Sequence, residues 1–111
     1  MKTTNGFQAM SDRYRFDFKL CTAAKGWAQL DTRQDAWYFS NWINPLTREF
    51  FSYCEGDLTH TECADDAEFT AHLRETLNWH RERGYLLGID PMNNDEIKAA
   101  FERLGFGNEL H

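Results

Sequence analysis
The sequence lacks long apolar segments and contains few of the residues that interrupt regular structure. No stretch approaches the ~18 uncharged apolar residues that a membrane span requires. The first residues, Met1–Gly6, contain no apolar core of a signal peptide. We therefore expect a cytoplasmic location without membrane contact. With 2 Pro and 7 Gly in 111 residues, the composition excludes collagen-like chains and argues against disorder.

Cysteine and positive charge are also scarce. The chain has 3 cysteines, an odd number that fits a disulfide framework poorly, and we expect them to be reduced. Lys and Arg total 12 against 18 Asp and Glu, for a net charge of -6. Because a generic nucleic-acid binder needs a basic surface, no direct nucleic-acid binding is expected.

The common catalytic motifs are absent as well. The sequence contains no G-x-S-x-G, Walker loop, G-x-G-x-x-G or H-E-x-x-H. A cysteine such as Cys54 or Cys63 accompanied by histidines occurs in most proteins, and no family signature surrounds either one. Acid–base pairs that form only in space stay open, so an enzyme is not excluded. The sequence identifies no catalytic residue.

Four residues are of types that bind zinc: Cys54, His60, Cys63 and His72. Their spacing does not fit, since structural zinc sites use cysteine pairs only ~2–4 residues apart. On a regular strand, His60 and Cys63 would also point to opposite faces. We predict no metal site and no cofactor, with the cysteines as small buried apolar residues.

The unusual feature of the composition is its aromatic content, at 15% of residues. Residues 1–12 are polar and unpatterned, which is typical of a flexible arm; residues 13–111 are predicted to form a single domain. Tyr14 to Leu20 alternates apolar and polar residues like a half-buried strand, and Trp27 to Thr32 is predicted to be a second short strand.

Trp37–Ile43 and Arg48–Cys54 are predicted to form a hairpin around a turn at Asn44–Thr47. In that register Ile43 pairs with Arg48. One face carries Tyr38, Ser40, Trp42, Phe51 and Tyr53, and the other carries Trp37, Phe39, Ile43, Phe50 and Cys54. Both faces are aromatic, which an antiparallel sheet with one wet side should not show. Leu58 to Cys63 is predicted to be the next strand.

The C-terminal half has helical patterns. Asp65 with Glu68 is typical of a capped helix start, and Gly84 of its end. Asn93 with Glu96 repeats the start signal, and Gly105 followed by Phe106 is typical of a Schellman ending. The sequence therefore predicts an α+β fold, a curled antiparallel sheet of about four to five strands followed by two C-terminal helices.

Acidic residues concentrate between Glu55 and Glu68, where no Lys or Arg occurs. Asp65, Asp66 and Glu68 are explained by the positive end of the helix dipole. The remaining acids, Glu55, Asp57 and Glu62, could form a negative surface that attracts a basic partner.

The run Asp31–Pro45, together with Tyr53–Asp57, resembles small uncharacterised bacterial proteins encoded on plasmids, integrative elements and prophages. The similarity covers Asp31 to Gly84 and the tail from Gly105 to His111. No activity is established for that group, so the resemblance implies a context rather than a mechanism. Cargo of such elements is often an accessory factor, for instance an inhibitor of a host defence or nucleic-acid-handling protein.

These observations predict a non-catalytic, macromolecule-binding protein without a cofactor. The expected contact surface combines the aromatic hairpin with the acidic edge: Tyr38, Trp42, Phe51, Tyr53, Glu55, Asp57 and Glu62. The partner is expected to be a protein, with a basic protein or a second copy as options. The alternative is a small enzyme or ligand-binding domain with a pocket between sheet and helices.

Overall fold
The structure, a computed structural model, describes residues 1–5, 21–33, 39–54 and 57–111, with the backbone alone at positions 39 and 54. Its strands are β1 (Lys2–Asn5), β2 (Ala28–Thr32), β3 (Phe39–Asn44), β4 (Glu49–Cys54), β5 (Asp57–Glu62) and β6 (Leu86–Asp90). The helices are α1 (Asp66–Glu82) and α2 (Asp95–Arg103), with 3-10 turns at Ala23–Lys25 and Gly107–Glu109. The predicted strand from Tyr14 to Leu20 lies outside the described residues.

The described strands form one open, antiparallel sheet in the order β1-β5-β4-β3-β2-β6. The α+β class is confirmed. The sheet has 6 strands rather than four to five, and β6 lies between the helices instead of before them. Residues 2–5, which fall within the arm expected at residues 1–12, pair with β5 as an edge strand.

The β3–β4 hairpin forms with a register that differs from the expected one. Ile43 pairs with Phe50, and Asn44 pairs with Glu49 rather than opening the turn. The turn instead occupies residues 45–48, where Arg48 adopts a left-handed φ of 61°. The partner of Ile43 shifts by two residues, from the expected Arg48 to Phe50. Because side chains alternate between the faces of a sheet, a shift of two residues keeps the expected division of aromatic residues between the two faces.

Helix α1 begins as predicted, with the Asp65 carboxylate accepting a hydrogen bond from the Glu68 N–H at 2.9 Å. Helix α2 begins one residue later than expected, because Asn94 rather than Asn93 caps it through the Ile97 N–H at 3.0 Å. At the end of α2, the Phe106 N–H donates to the Phe101 carbonyl at 2.8 Å. That bond confirms the Schellman ending.

The main core lies between the helices and one sheet face, which we call the helix face. Its fully buried residues come from four strands, both helices and the tail: Ala28, Leu30, Ile43, Phe50, Ile89, Phe69, Leu73, Leu77, Ile97, Phe101 and Phe106. The alternate residues of the same strands lie on the opposite face, which we call the aromatic face. No helix in the described part of the chain is long and apolar enough to cross a membrane.

Asn44 fixes the hairpin turn from a position that is 1% exposed. Its Oδ1 accepts hydrogen bonds from the Leu46 and Thr47 N–H groups at 3.0 Å each. Its Nδ2 donates to the Lys25 carbonyl at 3.0 Å, which joins the turn to the segment before β2. This one side chain therefore connects the hairpin turn to the neighbouring loop.

We expect Asn44→Ala to lower the free energy of unfolding by about 2 kcal/mol or more, because it leaves several backbone groups without partners. The measurement is urea unfolding followed by circular dichroism. The control is Asn108→Ala at an exposed position, for which we expect a change within about 0.5 kcal/mol. Equal changes for the two variants would contradict the anchoring role of Asn44.

Candidate functional site
The aromatic side chains expected to contact a partner lie mostly inside the molecule. Trp42 is 8% exposed and Phe51 is 4% exposed. They form a second core cluster on the aromatic face with Cys21, Trp27 and Leu58, and Tyr53 packs half-buried against it. The Trp27 and Phe51 rings are 5.3 Å apart. Trp42 and Phe51 therefore have little area left for a partner, and Tyr38 lies outside the described residues.

A buried histidine also lies on the aromatic face, next to Phe51. His60 is 1% exposed and stacks on Phe51 with the ring centroids 4.3 Å apart. Its Nε2 lies 2.8 Å from a Glu49 carboxylate oxygen, and its Nδ1 lies 3.7 Å from Glu62. Glu62, expected to attract a basic partner, thus has its carboxylate beside an imidazole of its own chain.

Two acidic residues in the first turn of α1 also make contacts within the chain. Asp66 accepts hydrogen bonds from Arg48 at 2.9 Å and Arg103 at 3.2 Å, which hold the pKa of its carboxyl below the usual value. Glu68 accepts from the Ala64 N–H and from the Met1 amine, with the same effect on its pKa. These contacts account for acids that the helix dipole alone was expected to explain.

The predicted acidic edge is not an edge, because β1 covers β5 from Lys2 to Asn5. Asp57 is exposed at one end of β5, while Glu62 lies at its other end beside His60. Glu55 lies outside the described residues. The acids that remain for a partner therefore do not form one continuous row along the described part of β5.

The sheet separates the residues considered for zinc. His60 lies on the aromatic face, whereas Cys63 packs against the core on the helix face and His72 contacts Phe50 there. Within the described residues, no group of three His, Cys, Asp or Glu side chains is arranged to hold a metal ion. The side chain of Cys54 lies outside the described part of the structure.

The described cysteines are poorly suited to nucleophilic chemistry. Burial, reinforced by the negative charge of Glu49, raises the pKa of the Cys21 thiol to about 12. Burial also raises the pKa of Cys63, with Glu68 adding to the effect. Since the thiolate is the reactive form, the raised pKa values disfavour nucleophilic reaction of both thiols at neutral pH.

A chain of polar side chains crosses from the sheet to α1 on the helix face. The Ser52 hydroxyl donates to Asn41 Oδ1 at 2.7 Å, across the β3–β4 pair. Asn41 Nδ2 lies 3.4 Å from His80 Nε2. On its other side, His80 Nδ1 lies 2.8 Å from the Thr76 carbonyl. The bonds form one continuous path from Ser52 to the helix backbone.

The protonation of His80 fits this path. Burial lowers the pKa of His80; its hydrogen bond to the Thr76 carbonyl acts in the opposite direction, and the positive charge of Arg83 lowers the pKa further. The imidazole is therefore neutral at neutral pH. Its Nδ1–H then donates to Thr76, and its Nε2 accepts from Asn41.

Beside this polar path, α1 carries the most exposed aromatic side chain described. Trp79 is 46% exposed. The guanidinium of Arg83 lies 4.0 Å above its ring, and Arg83 Nη1 donates to the Trp79 carbonyl at 2.9 Å. The Trp79 ring is edge-on to His80 at 4.8 Å and lies 6.2 Å from the Tyr85 ring.

We call Trp79, Arg83 and Tyr85 the α1-end surface. Leu87 on β6 is also 46% exposed and lies where the pairing of β6 with β2 is irregular. A Schellman bond from the Tyr85 N–H to the His80 carbonyl, 2.9 Å long, fixes the turn that joins helix and strand. The surface therefore rests on a rigid part of the fold.

Comparison of the chain with models of protein families, with curated proteins and with solved structures found no match. The site is therefore defined by its geometry alone.

Sequence patterns indicated part of this site. Trp79 falls beside the Phe69–Leu73–Leu77 stripe, so its position off the buried face could be read from the helical period. A cation at the position of Arg83 suits the C-terminal end of a helix dipole, but this preference does not predict its contact with the Trp79 ring. Asn41 and Ser52 had no signal, because their hydrogen bond depends on strand pairing and on the path of α1.

Trp42 in the second core cluster and Trp79 at the exposed end of α1 give opposite expectations for the effect of alanine substitution on stability. We expect Trp42→Ala to lower the free energy of unfolding by about 3–5 kcal/mol, as for other buried aromatic residues. Trp79→Ala removes an exposed cation–π contact, so we expect a loss below about 1 kcal/mol. Urea unfolding followed by circular dichroism measures both. A small loss for Trp42→Ala would place its side chain outside the core.

His80 makes stability depend on pH. Below about pH 6.5 the unfolded chain protonates this histidine, while the folded chain keeps it neutral. The free energy of unfolding should therefore fall as the pH falls from 7 towards 5, and His80→Gln should reduce that fall. His72, whose pKa is also lowered by burial, contributes in the same direction. Identical pH profiles for wild type and His80→Gln would contradict a buried neutral His80.

Proposed function
We propose that this protein is a non-catalytic module of the bacterial cytoplasm that binds another protein through the α1-end surface. The observation that carries the proposal is the exposed Trp79 indole, which has the Arg83 guanidinium 4.0 Å over its ring and the Tyr85 ring 6.2 Å away. Trp, Tyr and Arg are the residue types that contribute most binding energy at protein interfaces. In this protein all three occur together at the end of one helix.

The rigidity of the surface supports this proposal. Arg83 is hydrogen-bonded to the Trp79 carbonyl, and Tyr85 is tied by its backbone to the last turn of α1. Side chains that are already ordered lose less conformational entropy on binding. An exposed tryptophan in such a setting is a suitable anchor for a partner.

The expected surface of aromatic hairpin and acidic edge supports the proposal less well. Trp42 and Phe51 are buried, and the Glu62 carboxylate lies beside His60. Tyr53 and Asp57 keep some exposed area and extend the possible contact region. A basic partner, a self-associated dimer and an origin in mobile elements, with inhibition of host defence as one role, stay predictions from the sequence.

A second candidate function is binding of a small polar ligand. The path from Ser52 through Asn41 to His80 lies between the sheet and α1, where the alternative interpretation of the sequence placed a pocket. The Asn41 and Ser52 side chains are half-buried, so part of their surface is accessible to a ligand. Ser52→Ala should abolish small-ligand binding while leaving partner-protein binding unchanged, which separates the two functions.

Affinity capture from a lysate of the native host tests the main proposal. We expect one specific partner to bind wild type and Leu46→Ala, an exposed residue in the distant hairpin turn, with similar affinity. Trp79→Ala should weaken binding about 30-fold or more, the effect of losing a tryptophan anchor. Mass spectrometry identifies the partner, and titration of the purified pair measures affinity. A partner bound equally by the folded Trp79→Ala variant would contradict the proposal.

A further inference from the structure
Arg83 is held in a fixed orientation and still has hydrogen-bond donors to offer. Its guanidinium stacks on the Trp79 ring and uses Nη1 for the Trp79 carbonyl. A guanidinium carries five N–H donors in a planar fork, and stacking leaves the edge of that fork accessible. Because the group is already ordered, it loses little freedom when it binds a carboxylate.

Three arginines near the helix ends pair with carboxylates of the chain, whereas Arg74 on α1 lies over the Phe106 ring. Arg48 and Arg103 pair with Asp66, and Arg81 pairs with Glu109 at 2.6 Å. In the described part of the chain, Arg83 makes no ion pair with a carboxylate. Most arginines near the helix ends thus pair with carboxylates of the chain, whereas no carboxylate among the described residues forms an ion pair with Arg83.

A second arginine lies next to the same surface. The backbone N–H of Arg33 donates to the Tyr85 carbonyl at 2.6 Å, and the Arg33 side chain is exposed. Among the described residues, the nearby carboxylates are Glu82, which is exposed on the last turn of α1, and Asp31, which lies 2.7 Å from His111 Nδ1. Arg83 and Arg33 thus place two cations beside this surface in a chain whose net charge is -6.

From these contacts we propose that the partner segment bound at the α1-end surface is acidic and places a carboxylate on the Arg83 guanidinium, beside an apolar residue that packs on Trp79. This inference rests on the proposed function and specifies the chemistry of its partner. Carboxylates bind arginine in a bidentate manner that adds direction to the contact. An apolar neighbour would cover the exposed part of the Trp79 indole.

The test selects random twelve-residue peptides displayed on phage for binding to the full-length protein, with removal of phage that also bind Trp79→Ala. We expect the retained peptides to carry Asp or Glu next to an aromatic or aliphatic residue. One retained peptide is then synthesised with its acids intact and with each acid changed to the matching amide. Fluorescence anisotropy of the labelled peptides measures affinity.

Charge variants of the protein give the decisive comparison. Arg83→Gln should weaken binding of the acidic peptide about tenfold or more, the effect of losing one charge-assisted hydrogen bond. Glu82→Gln should strengthen it, because a repulsive charge is removed. The matched control is Arg74→Gln, since Arg74 also lies over an aromatic ring, that of Phe106; binding should not change.

The outcomes distinguish a failure of the acidic-partner inference from a failure of the proposed protein-binding function. Peptides that depend on Trp79 but are neutral or basic would overturn the acidic partner and leave protein binding intact. A selection in which no peptide distinguishes wild type from Trp79→Ala would contradict both. Trp79-dependent binding of a twelve-nucleotide single strand that displaces the peptides would replace the protein partner with nucleic acid.

Discussion

The arrangement of this protein depends on the buried amide of Asn44. Its oxygen holds the Leu46 and Thr47 N–H groups of the hairpin turn, and its nitrogen holds the Lys25 carbonyl before β2. The approach is so close that a Cβ at Gly26 would lie 2.8 Å from Asn44 Oδ1. By fixing the turn, Asn44 sets the register in which Trp42 pairs with Phe51 and Ile43 pairs with Phe50. That register sends alternate aromatic residues to opposite sides of the sheet.

Both sides of the hairpin are then largely buried in the described part of the chain. The helix face packs on α1 and α2, and the aromatic face buries Trp42 and Phe51 in a second cluster. Among the described residues, the most exposed aromatic side chain, Trp79, and the arginine over its ring lie at the end of α1. There the neutral His80 fixes the last turns through Thr76 and Asn41, and Trp79 and Arg83 project from the same turns.

Much of the fold could be predicted from sequence, because capping residues and hydrophobic periods act locally. Asp65, Gly84 and the Gly105–Phe106 pair marked helix ends correctly, and the alternation around Trp42 and Phe51 assigned the faces. Strand β6 was missed, although its short apolar run between Gly84 and Pro91 is a signal for a buried strand. The exact hairpin register depended on the Asn44 side chain, which a turn pattern does not specify. The site could be predicted less well, since the contact of Asn41 with His80 joins residues 39 positions apart.

Hydroxyl-radical footprinting of the free protein tests the central claim that the hairpin aromatics are core and that the α1-end surface is the exposed aromatic region. The reaction rate of each side chain, read by mass spectrometry, reports its access to solvent. The account predicts rapid oxidation of Trp79 and strong protection of Trp42 and Phe51. Equal oxidation of Trp42 and Trp79 would contradict it, and would return the contact surface to the hairpin.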